Sequence, residues 1–538
     1  MNLILLIVAT MFSIIWLLWM IFTSKNNSLP PGPPPLPLLG NLLSLDSDLH
    51  SHFTTLAKTY GPITTLWLGR KVAFVISSPD LAREVLKVHD TTFANRDMTA
   101  AGEASSYGGN DIVWSPYGDQ WRMLRKIIVT QMLSKETLDS VYSLRRKEIR
   151  NTIKQLYGRR GGSPVNVGDE MFATFMNVVT GMMWGGSTTV KDGMNRVSLG
   201  VEFREVSNEM TGLLGTPNLS DFYPGLAWFD LQGIKRKTKA ASKKFDGIFE
   251  KIIDQRKKMM MDGDEISNDF LQFLLQVKDD GDFKTPFTIT HLKALLLVDR
   301  ESYPEVMAKT LTIVGIYWKN YSIPFRGLNF YLDMAIGGTD TTSTTIEFAL
   351  AHMIDKPETL KKAQQELDTI VGKNNIVEES HIKNLPYLHA IMKETLRLHP
   401  ILPLLLPHCP SKSCVIGGYM IPKGARVFVN AWAIHRDPAI WENPLEFIPE
   451  RFVNNKWDYS GKDDNYFPFG SGRRICAGTT MADRMFMYSL ASLIHSFDWK
   501  SGEGEKIDLT EKFGTVLRKK QPLMAIPTPR LYESYMYE

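Results

Sequence analysis

The spacing of hydrophobic and polar positions changes several times along the chain, and the first stretch predicts a membrane anchor. Leu3 to Phe22 is an apolar run of 20 residues, broken only by Thr10 and Ser13. As a helix it would span about 30 Å, the thickness of one hydrocarbon core. No Lys or Arg precedes the run and a poor cleavage site follows it, so an uncleaved anchor is favoured over a secretory signal peptide. Lys25 on the C-terminal side of the run, with no basic residue before it, places the remaining chain in the cytosol.

The segment after this run is rich in proline, and the pattern then becomes that of a globular domain. Proline at the density found from Leu29 to Asn41 gives a stiff, extended spacer. An SH3-type ligand is the alternative, but a rigid hinge is the better interpretation directly after a membrane span. Residues 60–80 alternate in strand fashion, and helical periods dominate from about residue 120. We therefore divide the chain into an anchor at 1–24, a hinge at 25–41, and a mainly α-helical domain with small β-sheets at 42–538.

One stretch interrupts the helical pattern of this domain. If residues 291–297 were joined directly to the segment that begins at Asp333, the apolar period would continue without a break. Residues 298–332 lie between the two segments instead. Pro304 and Pro324 each cost about 3 kcal/mol in a helix interior. Our hypothesis is a translated intron or a gene-model error, and a genuine looped-out insertion is the alternative. With the insert present, the later helix would begin only near Asp333, and we expect weakened or lost activity.

Composition and charge exclude several classes of protein. Of 538 residues, 43% are hydrophobic and 11% aromatic, which allows a large buried core. The net charge of +4 is too small to argue for a nucleic-acid partner. The chain has three cysteines: Cys409, Cys414 and Cys476. Three cysteines are too few for a disulfide framework, which indicates a reducing compartment. Cys409 and Cys414 are interpreted as ordinary thiols, because a metal site would need a second pair.

The third cysteine has the most specific surroundings. Cys476 belongs to the glycine-rich stretch from Phe467 to Gly478, and a helical run from Thr479 to His495 follows it. Backbone N–H groups at that helix N-terminus would lower the pKa of the thiol. Arg474, two residues earlier, would pair with a carboxylate on a bound ligand. Taken alone, a buried structural cysteine is the alternative interpretation.

The glycines around this cysteine complete a recognisable pattern. Gly470, Gly472 and Gly478 allow positive φ angles and the close approach of a flat ligand. The spacing reads Phe-x-x-Gly-x-Arg-x-Cys-x-Gly, and it resembles the haem-binding loop of the cytochromes P-450. The resemblance implies the cytochrome P-450 fold, with haem b between a distal and a proximal helix and Cys476 as the axial ligand of its iron.

Other positions match the haem contacts of that family. Trp121 and Arg125 are four residues apart and share one helix face, which resembles the family's Trp-x-x-x-Arg pair for a haem propionate. His408 resembles a second propionate partner, and a satisfied histidine is the alternative. The cofactor-binding positions that the resemblance implies are Cys476, Trp121, Arg125, His408, Arg474, Phe469, Gly472 and Gly478.

The stretch from Asp333 to Ser343 is a second chemical motif. Two glycines inside a helical pattern predict a kink or the close approach of a ligand. Asp340 and Thr341 then place an acid beside a hydroxyl, which suits a proton relay. The stretch resembles the oxygen-activation motif of the family. That resemblance implies catalytic roles for Thr341 in oxygen activation and for Asp340 in proton delivery, with a plain turn or helix cap as the alternative.

Three charged residues match the structural signature of the family. Glu394 and Arg397 are three apart on one helix face, and Arg451 follows in Pro449-Glu450-Arg451-Phe452. As a lone surface pair, Glu394 and Arg397 would contribute at most about 1 kcal/mol. Together the three residues resemble the Glu-x-x-Arg/Arg triad, which implies that they lock the fold beneath the haem.

The resemblance covers the whole chain and is strongest to plant A-type microsomal enzymes, including terpenoid and flavonoid hydroxylases. It implies a monooxygenase that uses O2 and NADPH electrons from a flavoprotein reductase, and that is held in the endoplasmic reticulum membrane by a single span. Arg122, Lys126 and Lys135 would form part of the reductase-docking patch. The alternatives are a reductase-independent haem-thiolate isomerase or dehydratase, or an inactive haem protein.

By the same resemblance, four segments would contact a small hydrophobic substrate. They are mostly apolar or small, which suits such a substrate without identifying it. The predicted segments are 98–111, 335–339, 402–406 and 513–516.

Overall fold

The structure is a computed structural model of the chain. It describes residues 10, 29–106, 108–159, 162–185, 194–262, 270, 329–453, 457–502 and 506–538. Nearly all of the predicted anchor, the first four residues of the predicted hinge and most of segment 298–332 therefore lie outside the described residues. In the part of the chain that is described, no helix has the length and apolar character needed to cross a membrane.

The described residues form a mainly helical domain, as the sequence predicts. The α-helices are α1 (Leu49–Tyr60), α2 (Pro79–Arg83), α3 (Ala100–Ser105), α4 (Asp119–Ile127), α5 (Lys135–Ser140), α6 (Tyr142–Gly158), α7 (Val167–Trp184), α8 (Met194–Gly215), α9 (Leu219–Phe222), α10 (Ile234–Asp262), α11 (Asn329–Asp355), α12 (Pro357–Ile370), α13 (Glu379–Ile382), α14 (Pro386–Leu398), α15 (Ala431–Ile434) and α16 (Thr479–Ser496). Short 3-10 or π-helical turns occupy Leu42–Ser44, Glu84–Val88, Ile128–Met132, Pro224–Phe229, Pro449–Phe452, Gly472–Arg474 and Ser534–Tyr537.

Short strands form small sheets, which also agrees with the prediction. The strands are β1 (Ile63–Leu68), β2 (Lys71–Ile76), β3 (Asn95–Arg96), β4 (Val165–Asn166), β5 (His408–Cys409), β6 (Cys414–Ile416), β7 (Tyr419–Ile421), β8 (Arg426–Val429), β9 (Phe497–Lys500), β10 (Glu511–Lys512), β11 (Arg518–Lys519) and β12 (Met524–Pro529). The largest sheet has the order β1-β2-β8-β5-β3, and the others are β4-β12-β9, β6-β7 and β10-β11. The predicted strand pattern at 60–80 is confirmed as the antiparallel hairpin of β1 and β2.

The described part of the proline-rich segment lies along β1. The Thr65 N–H donates to the Pro31 carbonyl at 2.9 Å, and the Thr65 hydroxyl donates to the Pro30 carbonyl at 2.7 Å. The Trp67 N–H donates to Asn41 Oδ1 at 2.8 Å. This segment is therefore docked on the domain from Pro30 onward, rather than standing free as a spacer.

Helix α11 runs through the middle of the domain and carries the predicted oxygen-activation motif. All of its residues from Ile346 to Met353 are buried, including the polar Glu347 and His352. A helix that is buried on all sides belongs to the core. It packs against α7, α14 and α16. The helix begins at Asn329, four residues before the predicted start near Asp333, so the end of segment 298–332 is helical.

Candidate active site

A cavity of about 300 Å3 lies where α11, the stretch around Cys476 and the segment after α14 meet. Thr341 and Thr342 line it from α11, and Leu402 and Leu405 line it from the segment after α14. Residues 468–478, which we call the Cys476 loop, contribute Cys476 itself. The cavity therefore joins the two motifs that the sequence singles out, although they are 135 residues apart.

The Cys476 loop is closed by backbone hydrogen bonds and presents its thiol to the cavity. The Cys476 N–H donates to the Phe469 carbonyl at 2.9 Å, and the Gly478 N–H donates to Cys476 Sγ at 3.3 Å. The side chain is accessible from the cavity. Burial raises the pKa of the Cys476 thiol, against the opposing effects of the Gly478 N–H and Arg125. The Gly478 N–H lowers the pKa, as the sequence predicts for N–H groups at this position, but the cost of burying a thiolate is larger and sets the net direction.

The glycines of the loop serve different purposes. Gly470 and Gly472 have φ angles of +73° and +69°, which a side chain would strain. A Cβ at Gly472 would lie 1.9 Å from the Leu86 carbonyl oxygen, so this glycine allows two backbone segments to touch. Gly478 has φ −90° as the N-cap of α16. The prediction of a positive φ is therefore wrong for Gly478.

Three arginines line another part of the cavity: Arg96 from β3, Arg125 from α4 and Arg474 from the Cys476 loop. Arg96 donates to the Leu406 carbonyl at 2.8 Å and Arg125 to the Ile475 carbonyl at 2.6 Å. Arg474 donates to the carbonyls of Ala94, Ile112 and Ser115. A guanidinium has five N–H donors, so all three keep donors for a ligand. Arg96 Nε is buried with no hydrogen-bond partner.

Trp121 and Arg125 share one face of α4, as their spacing predicts. The Trp121 side chain is buried, and its Nε1–H donates to the Ile112 carbonyl at 3.0 Å. The guanidinium carbons of Arg125 and Arg474 lie 5.4 and 4.6 Å from the centre of the Trp121 ring. The ring thus packs against both cations and orients them by cation–π attraction.

His408 lies at the edge of the same cationic group and lines the cavity. Its Nδ1 is 2.8 Å from the Phe93 carbonyl oxygen, so Nδ1 carries the proton of that hydrogen bond. Burial, with the charge of Arg96, lowers the pKa of His408 to about 3. The ring is therefore neutral and offers Nε2 as an acceptor. It would donate to a carboxylate only if that anion raised its pKa.

The charges around these residues are not balanced by the protein. Burial lowers the pKa of Arg96 to about 9 and that of Arg474 to about 10. Burial also raises the pKa of nearby Asp111 to about 7, although the N–H groups of Trp114 and Ser115 donate to it. Clustered buried cations with spare donors are stabilised by an anionic ligand.

These observations test whether the site suits the haem that the sequence resemblance implies. Haem b carries two carboxylates and an iron that accepts a thiolate. Arg96, Arg125 and Arg474 supply cations for the carboxylates, and Cys476 supplies sulfur inside the same cavity. The residues therefore fit the group.

The acid and the hydroxyl of the α11 motif do not face the same way. Thr341 lines the cavity, and its hydroxyl donates to the Gly337 carbonyl at 2.7 Å. Asp340 is buried but is absent from the described cavity lining. Its Oδ2 accepts from Arg518 of β11 at 2.6 Å, and the Arg518 side chain is 44% exposed. Asp340, the residue before Thr341 on α11, is therefore paired with the half-exposed side chain of Arg518.

The three residues of the predicted structural triad are in contact. Arg397 binds Glu394 through two hydrogen bonds of 2.7 and 2.9 Å, and both side chains are fully buried. Arg451 Nε donates to Glu394 Oε1 at 3.1 Å, and the Ile448 N–H donates to the same oxygen. Arg397 also donates to the carbonyls of His435, Pro444 and Glu446. The Glu394–Arg397 pair is therefore not a surface salt bridge but the centre of a buried network.

The predicted substrate segments are only partly at the cavity. Leu402, Leu405 and Leu406 of segment 402–406, and Gly337 and Gly338 of segment 335–339, line it. Segment 98–111 contributes no described lining residue, although Ile112 and Val113 directly after it do. Segment 513–516 is also absent from the described lining, because Phe513 stacks on His50 and Val516 packs in the core.

Sequence reasoning missed Arg96 and Arg518, and it included Asp111 only as the last residue of a predicted substrate segment. Arg96 and Arg518 come from two-residue strands, and their partners are distant in sequence: Arg96 contacts residue 406, and Arg518 contacts residue 340. No local period marks such residues. The only available signal was a basic residue beside a predicted extended segment.

The comparison with known proteins decides the family. The sequence profile described as "Cytochrome P-450" matches residues 30–298 and 328–526. The chain belongs to the cytochrome P-450 family. It is a haem-thiolate monooxygenase of class EC 1.14. The profile leaves residues 299–327 of this cytochrome P-450 unmatched, and they fall inside the segment that interrupts the helical pattern.

Plant enzymes of this family align over nearly the full length. A flavonoid 3',5'-hydroxylase from Crocosmia x crocosmiiflora is 38% identical, covering 94% of this chain and 92% of its own. A flavonoid 3'-monooxygenase from Arabidopsis thaliana is 37% identical over 94% and 93% of the two chains. Cytochrome P-450 76C3 from Arabidopsis thaliana is 35% identical over 95% and 94%. A zebrafish cytochrome P-450 solved with progesterone shares the fold, with a TM-score of 0.70 at 22% identity over 89% of this chain and 99% of its own.

Proposed function

We propose that this cytochrome P-450 hydroxylates a small hydrophobic plant metabolite, a terpenoid or a flavonoid-type phenolic, in secondary metabolism. The observation that carries the proposal is the single cavity that holds Cys476, the arginine group and Thr341 together. Its lining beyond these residues is mainly aliphatic, which suits an apolar substrate. Similarity to plant flavonoid hydroxylases supports the same broad class.

Each residue has a defined part in this proposal. Cys476 holds the iron, and Arg96, Arg125 and Arg474 hold the carboxylates of the cofactor. Haem bound in this way supplies the oxygen chemistry, since thiolate donation favours cleavage of the O–O bond. The Thr341 hydroxyl holds a proton at the cavity wall. Asp340 receives protons on the solvent side, where the hydrogen bond from Arg518 orients its carboxylate.

Electron supply and location form the second part of the proposal. Arg122, Lys126 and Lys135 are exposed and lie on α4 and α5, next to the face that carries Arg125. A basic patch there would attract an acidic flavoprotein reductase that delivers electrons from NADPH. The apolar run at residues 3–22 would hold the enzyme in the endoplasmic reticulum membrane, with its domain in the cytosol.

Reductase dependence is the experiment that tests the proposed function. Purified full-length protein with a plant flavoprotein reductase should form hydroxylated product only when NADPH and O2 are both present. The second candidate is a reductase-independent isomerase or dehydratase acting on peroxides. The Asp340–Thr341 pair disfavours it, because that class typically lacks an acid–hydroxyl pair. Product formed from a hydroperoxide without reductase or NADPH would replace the monooxygenase proposal with this one.

The unmatched segment gives a separate prediction. We expect removal of residues 299–327 to raise turnover per thiolate-ligated haem by at least about tenfold. The deletion joins residue 298, where the first matched region ends, to residue 328, where the second begins. It thereby restores the continuity of the family pattern directly before helix α11, which begins at Asn329. Product formation, normalised to the reduced carbon monoxide spectrum, measures this effect.

The control for that deletion replaces the same segment with a Gly/Ser linker of equal length, which separates the length of the insert from its sequence. Equal turnover by the 538-residue chain and the shortened chain would show that the insert is tolerated. An abundant mature transcript that encodes the segment would contradict the gene-model hypothesis.

A further inference from the structure

One part of the cavity wall is formed by aliphatic side chains. Ile112 and Val113 come from the loop before α4, and Ile401, Leu402, Leu405 and Leu406 come from the segment after α14. We call these six residues, together with the cavity-facing part of α11, the aliphatic wall. The aromatic lining residues Phe469 and Phe486 belong to the Cys476 loop and to α16. Within the described residues, the aromatic lining is thus confined to the Cys476 loop and α16, and the residues before α4 and after α14 offer a substrate aliphatic contacts rather than a ring on which to stack.

Two hydroxyl groups on this wall already donate their protons to backbone carbonyls. Thr341 Oγ1 donates to the Gly337 carbonyl at 2.7 Å, and Thr345 Oγ1 donates to the Thr341 carbonyl at 2.7 Å. Of the threonine hydroxyls that the described part of α11 brings to the cavity, that of Thr342 remains. A substrate with several hydroxyls would therefore find few free donors for its oxygen atoms on this wall, and part of its lost hydration would not be replaced. Rejection of a single added hydroxyl by an apolar pocket is modest and reaches at most about 10²-fold.

Leu405 is a second, independent observation. Its φ angle is +51°, a left-handed conformation that Gly, Asn and Asp adopt far more readily than Leu. The preceding residue, Leu404, is buried in a core cluster with Phe53 and Phe428, while Leu405 lines the cavity. Strained residues persist where the surrounding structure holds them in place, and they cluster at ligand sites. An aliphatic group is thus held against the cavity at a cost to the backbone.

We propose that the aliphatic wall selects an aliphatic, terpene-like hydrocarbon skeleton over a polyhydroxylated flavonoid, an inference that rests on the proposed monooxygenase function. The reaction inserts one oxygen atom of O2 into a C–H bond of the substrate. The other oxygen atom leaves as water, with two electrons from NADPH through the reductase and two protons. The substrate class therefore differs from the one named for the flavonoid hydroxylases to which the chain is similar.

Optical titration of the full-length holoprotein tests this selection. The probes are a bicyclic sesquiterpene hydrocarbon, an unsubstituted flavanone and a trihydroxyflavanone. Each is followed by the shift of the haem absorption when a bound molecule displaces water. We expect the hydrocarbon to bind at least tenfold more tightly than the trihydroxyflavanone, with the unsubstituted flavanone between them.

Variants at Leu405 connect the preference to the wall. Leu405→Gly and Leu405→Asn both relieve the left-handed backbone, but only Asn adds an amide. We expect both to weaken hydrocarbon binding, and Leu405→Asn to narrow the hydrocarbon-to-flavanone affinity ratio at least fivefold more than Leu405→Gly. The matched control is Leu38→Asn, because Leu38 has φ +64° on the surface, with its side chain 70% exposed. That control should leave the ratio unchanged.

Two results would overturn the inference in distinguishable ways. A normal reduced carbon monoxide band with tighter binding of the trihydroxyflavanone would reject the substrate class and leave the monooxygenase function standing. Absence of the thiolate-type band would reject the proposed function, and with it the inference that rests on it.

Discussion

The Cys476→Ala variant is expected to lose the thiolate-type band of the reduced, carbon monoxide-treated protein and all measurable monooxygenase activity. Among the described residues, Cys476 brings the one thiol to the cavity lining. Mutation of a residue that merely hydrogen-bonds to a metal ligand already lowers metal affinity or activity by about 10- to 100-fold. Loss of the ligand itself should therefore reduce turnover to below about one-hundredth of the original.

The matched control for this prediction is Cys414→Ala. Cys414 is a half-buried free thiol on β6 and is not in the described cavity lining. Its removal should leave both the band and the turnover intact. A surviving thiolate-type band in Cys476→Ala, or its loss in Cys414→Ala, would show that the iron ligand has been assigned to the wrong residue.

The second large effect is expected on stability. We expect Glu394→Gln to lower the free energy of unfolding by about 3–5 kcal/mol, because it removes one charge from a buried ion pair and leaves its partner uncompensated. Arg397 is fully buried, and Arg451 and the Ile448 N–H bind the same carboxylate. The substitution therefore removes the negative charge of a carboxylate that accepts hydrogen bonds from three separate donors.

Urea unfolding, followed by haem absorbance and by tryptophan fluorescence, measures this loss. The control is Glu450→Gln, since Glu450 pairs with Lys362 on the surface, where the two side chains are 47% and 53% exposed. A surface pair contributes about 0–1 kcal/mol, so this variant should unfold almost as the original does. If the two variants were equally stable, the proposed structural role of the triad would be rejected.

The sequence determined the local features of this cytochrome P-450 well. The spacing of the Cys476 loop, the helix face shared by Trp121 and Arg125, and the β1–β2 hairpin depend on residues within a few positions of one another. Helix and strand periods place such neighbours reliably. The interruption at 298–332 was also visible in the sequence, because prolines and a broken apolar period are local signals, and the family profile stops and resumes inside or beside it.

Tertiary structure decided the features that depend on distant residues or on burial. The pKa of the Cys476 thiol is raised, because the surrounding protein outweighs the nearby N–H groups. Asp340 is held by Arg518, 178 residues away in sequence, instead of lining the cavity beside Thr341. Arg96 joins the arginine group from a two-residue strand. The burial of a group and the charges around it depend on all residues that pack against it. Most of those residues are distant in sequence, so no local sequence pattern identifies them.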